Sequence, residues 1–118
     1  YPGKGPTVAT ATPLVVGARR RTVAAIGKVG EEDLFRFTVK TAGKHVVDTA
    51  GPTDVVMKLF GPDSPTALIA EDDDSGLATN ARIVADLIPG EYWAQVRHYN
   101  RASGMGDYTI KVRRLPGG

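Results

Sequence analysis

The chain contains no cysteine, two histidines and one tryptophan in 118 residues. Without thiols it cannot build a disulfide framework, a cysteine nucleophile or a thiolate zinc site. The histidines, His45 and His98, are far apart in sequence, so they do not form a zinc motif and are the only bases on offer for triad chemistry. No Gly-x-Ser-x-Gly element accompanies them. Carboxylates crowd into turns instead of flanking a cleft, which argues against paired acid–base hydrolysis. No apolar run approaches the roughly 20 residues needed to span a bilayer. Fifteen basic residues against thirteen acidic ones leave a net charge of +2. Nucleic-acid binders gather a larger basic excess on one face. A non-catalytic domain with neither nucleic acid nor membrane as partner is the expectation.

What is present is strand after strand. Leu34-Phe35-Arg36-Phe37-Thr38-Val39 alternates, with Phe35, Phe37 and Val39 on one face. Val55, Met57 and Leu59 share a face, as do Ala81, Ile83, Ala85 and Leu87. Tyr92, Ala94 and Val96 point one way along the next run, and Tyr108, Ile110 and Val112 line the last. Such period-two patterns, closed by Gly, Pro, Asp or Asn, mark half-buried antiparallel strands. About eight strands at near ten-residue spacing, with no helical segment, predict an all-β fold. The expected form is a single antiparallel β-sandwich of the jelly-roll or Greek-key kind. Residues 1–13 read as a linker or a loose first strand, 14–115 as the domain and 116–118 as a tail. The start at Tyr1-Pro2-Gly3-Lys4, with no initiator Met and no apolar leader, reads as a piece of a longer precursor.

The order of these pieces resembles the bacterial pre-peptidase C-terminal domain. The resemblance rests on Glu32-Asp33-Leu34-Phe35-Arg36-Phe37-Thr38-Val39, an acidic residue leading an aromatic-x-aromatic strand. It rests too on Asp54-Val55-Val56-Met57-Lys58-Leu59-Phe60 and on the acidic turn Ile69-Ala70-Glu71-Asp72-Asp73-Asp74-Ser75-Gly76. Leu87-Ile88-Pro89-Gly90-Glu91-Tyr92-Trp93-Ala94-Gln95-Val96 and the Gly106-Asp107-Tyr108 strand complete it. The resemblance implies a non-catalytic accessory domain of a secreted bacterial hydrolase, a peptidase first of all, that assists substrate binding, secretion or stability. Collagen-binding domains of collagenases are relatives and bind calcium near an N-terminal linker. Tyr1 to Pro13 carries no carboxylate, although Glu31, Glu32 and Asp33 match the acidic turn of that site.

Two surfaces are candidate sites. The row Trp93, Gln95, Arg97 and Tyr99 suits a protein or glycan polymer, because flat rings give contact area at low entropic cost. The competing reading is that Trp93 packs under a loop. Asp72, Asp73 and Asp74, with Glu31, Glu32 and Asp33, are the calcium candidates, since calcium takes carboxylate and carbonyl oxygens from flexible loops. Against this, Asp72 and Asp74 suit Asx-turns that cap backbone amides. The run Arg19-Arg20-Arg21 reads as a polyanion contact or as a solvated edge that blocks strand pairing. The alternatives to a peptidase accessory domain are a calcium-stabilised carbohydrate-binding module and a prodomain trimmed after export. Expected partners are a polymeric protein or glycan substrate, or the parent catalytic domain.

Overall fold

A computed structural model describes residues 11–27, 32–51, 53–64, 66–72, 81–98 and 106–116. These form strands and connections, with no helix among them. The strands are β1 (Thr12–Pro13), β2 (Thr22–Ile26), β3 (Glu32–Val39), β4 (Gly43–Ala50), β5 (Val55–Phe60), β6 (Leu68–Asp72), β7 (Arg82–Leu87), β8 (Gly90–His98) and β9 (Gly106–Arg114). One sheet has the order β1-β3-β8-β5-β6 and the other β2-β9-β4-β7. The chain is an all-β sandwich, as the alternation predicts. Only β5 and β6 are sequence neighbours that pair directly; the other strands alternate or cross between layers. Its core therefore forms from residues distant in sequence.

All but one of the pairings are antiparallel. The exception is the two-residue β1, which lies parallel to β3 through Thr12–Phe35 and Pro13–Arg36. The apolar run after it does not continue as strand. Leu14 donates its N–H to the Arg36 carbonyl at 2.7 Å, and Gly17 donates to the Val112 carbonyl of the other sheet at 2.9 Å. The chain thus steps from one layer to the other across Leu14–Gly17. Gly17 makes the turn at φ +82°, a left-handed conformation that favours glycine.

Inward positions match the sequence pattern closely. Phe35, Phe37, Val39, Met57, Leu59, Tyr92, Val96, Tyr108, Ile110 and Val112 are all buried in one central cluster. Phe37 stacks on Tyr92 with ring centroids 5.6 Å apart, and Phe35 meets Tyr108 edge-on at 6.3 Å. Tyr108 reaches across the layers and donates its hydroxyl proton to the Asp33 carboxylate. Tyr92 builds a tyrosine corner over Leu87-Ile88-Pro89-Gly90-Glu91: its hydroxyl donates to the Ile88 carbonyl at 2.7 Å and accepts from the Ile88 N–H at 3.0 Å. Gly61, at φ +138°, passes so near this ring that an added Cβ would lie 2.5 Å from Tyr92 Cδ2. The adjoining turn is held by Asp63, whose N–H donates to the Glu91 carbonyl at 2.7 Å and whose carboxylate accepts the Glu91 N–H at 3.0 Å.

Candidate functional site

Alternation along β8 puts Trp93, Gln95 and Arg97 on the outer face of the five-stranded sheet, opposite Tyr92 and Val96. Trp93 is nevertheless only 4 % exposed. The expected exposed ring is therefore corrected: Trp93 is buried in a satellite cluster with Ala11 and Leu34, against which Phe60 packs. The register explains it, because Arg36, Trp93 and Phe60 stand in one row across β3, β8 and β5, and the chain entering β1 brings Ala11 over them. Gln95 and Arg97 are half-buried, and Arg97 donates to the His98 carbonyl at 3.0 Å. Tyr99 lies outside the described residues.

The acidic candidates fall into two separate places. Asp33, Val96, Met57 and Asp72 occupy one row across the sheet. Three interstrand steps separate the two aspartates, about 14 Å at 4.7–4.9 Å per step. Calcium–oxygen bonds span about 2.3–2.6 Å, so Asp33 and Asp72 cannot share one ion. Asp33 accepts the Tyr108 hydroxyl, and Asp72 accepts the Arg82 N–H at 2.7 Å. Both carboxylates thus hold structural hydrogen bonds, and the Asp72 bond is no local Asx-turn, since its partner amide lies ten residues on at the start of β7. Glu32 begins β3; Glu31, Asp73 and Asp74 lie outside the described residues. Among the described residues no three His, Cys, Asp or Glu side chains gather to hold a metal. Of the basic run, Arg21 folds over the outer face of the four-stranded sheet, pairing with the Asp48 carboxylate and donating to Thr109 Oγ1 at 2.7 Å.

Sequence reasoning missed a cleft of about 400 Å³ at the β1 edge. Leu14, Val15 and Val16 form one wall and Arg36, Phe37 and Thr38 of β3 the other. Lys40, Thr41, His45 and Arg114 line its end. No carboxylate is in the lining. His45 is buried, and its Nδ1 lies 2.8 Å from the Gly43 carbonyl. A carbonyl only accepts, so Nδ1 carries a proton and Nε2 is the ring nitrogen left for a ligand. Arg114 is braced by Nε and Nη2 donating to the Ala42 carbonyl at 3.1 and 2.9 Å. Arg36 has Glu91 3.7 Å away, a loose surface pair. The cleft combines an apolar wall with cationic groups. It holds no orienting carboxylate for His45, so it lacks the third member of a nucleophile–base–acid set. Its parts come from scattered segments, and the inward alternation of His45 on β4 was the one sequence signal for it.

The same two-layer arrangement occurs in solved structures. The pre-peptidase C-terminal domain of a Bacillus anthracis collagenase superposes with a TM-score of 0.65 at 16 % identity, covering 86 % of this chain and 95 % of that one. The chain has the fold of a pre-peptidase C-terminal domain. Aeromonas hydrophila PliG, a periplasmic inhibitor of g-type lysozyme, also matches this chain, with a TM-score of 0.54 at 19 % identity, covering 86 % of this chain and 95 % of that one. No protein-family model matches the sequence, and no curated protein matches it. The resemblance read from the Leu-x-Pro-Gly-x-Tyr and Gly-x-Tyr segments thus has its counterpart in three dimensions, where Tyr92 and Tyr108 are corner and core.

Proposed function

We infer that this chain is a non-catalytic accessory domain of a secreted bacterial hydrolase, in the first place a peptidase, and that it engages polymeric protein. The observation carrying this reading is that the chain spans 95 % of an accessory-type domain taken from a collagenase. The second neighbour is a periplasmic lysozyme inhibitor, which supports an extracytoplasmic setting. Burial of Trp93 weighs against the carbohydrate-binding alternative, because a sugar-stacking platform needs an open ring. The test is retention of the domain on insoluble collagen, gelatin and casein resins compared with cellulose and chitin. Retention on a protein resin supports the reading; retention on a glycan alone, or on none, overturns it. A prodomain would bind none of them, yet its deletion would cut secretion of the parent enzyme.

Calcium binding at an acidic turn is part of the same proposal. A site filled at 100 times its dissociation constant adds about 2.7 kcal/mol to stability. Melting of the domain with calcium and with chelator reads that difference directly, and coincident curves remove calcium from the account.

A further inference from the structure

We propose that the cleft beside β3 binds an extended acidic peptide, which adds to the open edge of β3 as a further strand. This rests on the accessory-domain reading and specifies which part of a protein substrate is held. The backbone argument begins at Arg36. Its carbonyl accepts from Leu14, so the main-chain groups of Arg36 face β1 and away from β8. In an antiparallel pair these directions alternate residue by residue, so Thr38 also presents its N–H and C=O to the β1 side. The ladder with β1 ends at Arg36, and no strand among the described residues pairs with Thr38 there. Past that point the chain has already turned toward the other sheet, and the cleft occupies the space. An unpaired strand edge beside a cleft is the geometry of β-augmentation, where main-chain hydrogen bonds give affinity and flanking side chains give specificity.

The flanking groups select the occupant. Arg36, Thr38 and Lys40 share one face by alternation, and Phe37 the other, beside Leu14 and Val16. An added strand with period-two side chains would lay apolar residues against Phe37 and carboxylates beside Arg36 and Lys40. Arg114 at the end of the cleft adds a donor, and the lining itself carries no carboxylate; Glu91, opposite Thr38 on β8, sits 3.7 Å from Arg36. Charge complementarity therefore favours a peptide alternating acidic and apolar residues.

The probe is a short fluorescein-labelled peptide of alternating Asp and Val, with an Asn-Val peptide as control. Fluorescence polarisation should show the Asp peptide binding about tenfold or more tightly than the control. In amide NMR spectra the Thr38 N–H should shift and exchange more slowly on binding. Thr38→Pro removes only an edge-facing donor, as tolerated on edge strands, and should abolish binding while keeping the wild-type melt. If Thr38→Pro fails to fold, Lys40→Glu and the Thr38 amide decide, and Lys40→Glu should weaken binding about tenfold. Equal binding of both peptides, a silent Thr38 amide, or wild-type affinity in folded Thr38→Pro overturns the proposal. So does a β3-edge dimer in sedimentation that Thr38→Pro abolishes, because the occupant is then a second copy. Casein or collagen retained equally by wild type, Thr38→Pro and Lys40→Glu removes the cleft and leaves the accessory reading intact. Peptide binding without retention on any protein resin does the reverse.

Discussion

Tyr92 and Trp93 are neighbours on β8, and both are buried, but by different means. Tyr92 points between the sheets, stacks on Phe37 and has its hydroxyl bonded twice to Ile88. Trp93 points away from the core and is covered by Ala11, Leu34 and Phe60, and its Nε1 has no hydrogen-bond partner among the described residues. One ring is held by the sandwich itself, with its polar handle satisfied. The other is held by a side cluster that depends on the chain entering β1, with its polar handle idle. Burial alone therefore does not measure how much a residue contributes.

The contrast can be broken by substitution. Tyr92→Ala should show the largest effect, about 3–5 kcal/mol of lost stability in denaturant melts, through the cavity left beside Phe37 and the freed Ile88 groups. Tyr92→Phe isolates the hydroxyl and should cost about 1–3 kcal/mol, since it removes two hydrogen bonds to the Ile88 backbone worth about 0.5–1.5 kcal/mol each. Trp93→Phe also removes a polar handle, but one with no partner to strand, so only the lost ring volume in the side cluster costs, and the loss should stay below that of Tyr92→Phe. A loss equal to that of Tyr92→Phe would show that the two sites do not differ in the way described.

Titration sharpens the same contrast. Burial pushes the Tyr92 hydroxyl above the ordinary phenol value; the Ile88 backbone hydrogen bond pulls the other way, and the Asp63 charge adds to the rise. The neutral hydroxyl is thus the form the fold favours. Its contribution is fully present below the unfolded phenol value of about 10 and is lost as pH climbs through the higher folded value. Melting followed upward from pH 8 should fall more steeply for wild type than for Tyr92→Phe. Because the chain has one tryptophan, emission excited selectively at tryptophan, clear of the four tyrosines, reports on the satellite cluster. Ala11→Asp should shift its emission to the red while Tyr92-dependent stability changes little. The smallest effect belongs to Asp48→Asn. It weakens the half-exposed pair with Arg21 and should cost at most about 1 kcal/mol, less at high salt.

Much of the fold was legible because each layer has one dry face. Phe35-x-Phe37-x-Val39 and Tyr108-x-Ile110-x-Val112 could only turn their apolar sides to a common interior. The Leu87-to-Tyr92 segment carried its own corner chemistry, a Pro-Gly turn with a tyrosine at the right distance to bond back to Ile88. Trp93 was legible in direction but not in exposure, since its cover comes from Ala11, over eighty residues earlier. Asp33 and Asp72 were read together as carboxylates, and only strand order sets them at separate positions across the sheet.

From composition and alternation alone came an all-β, cysteine-free sandwich with these inward aromatics and no triad motif, because a pleated strand exposes its two faces in strict turn. Pairing partners, the step of Leu14–Gly17 between layers, and the cationic cleft that step leaves beside Thr38 were decided by tertiary structure. They depend on which distant segments meet, and local patterning carries no record of that.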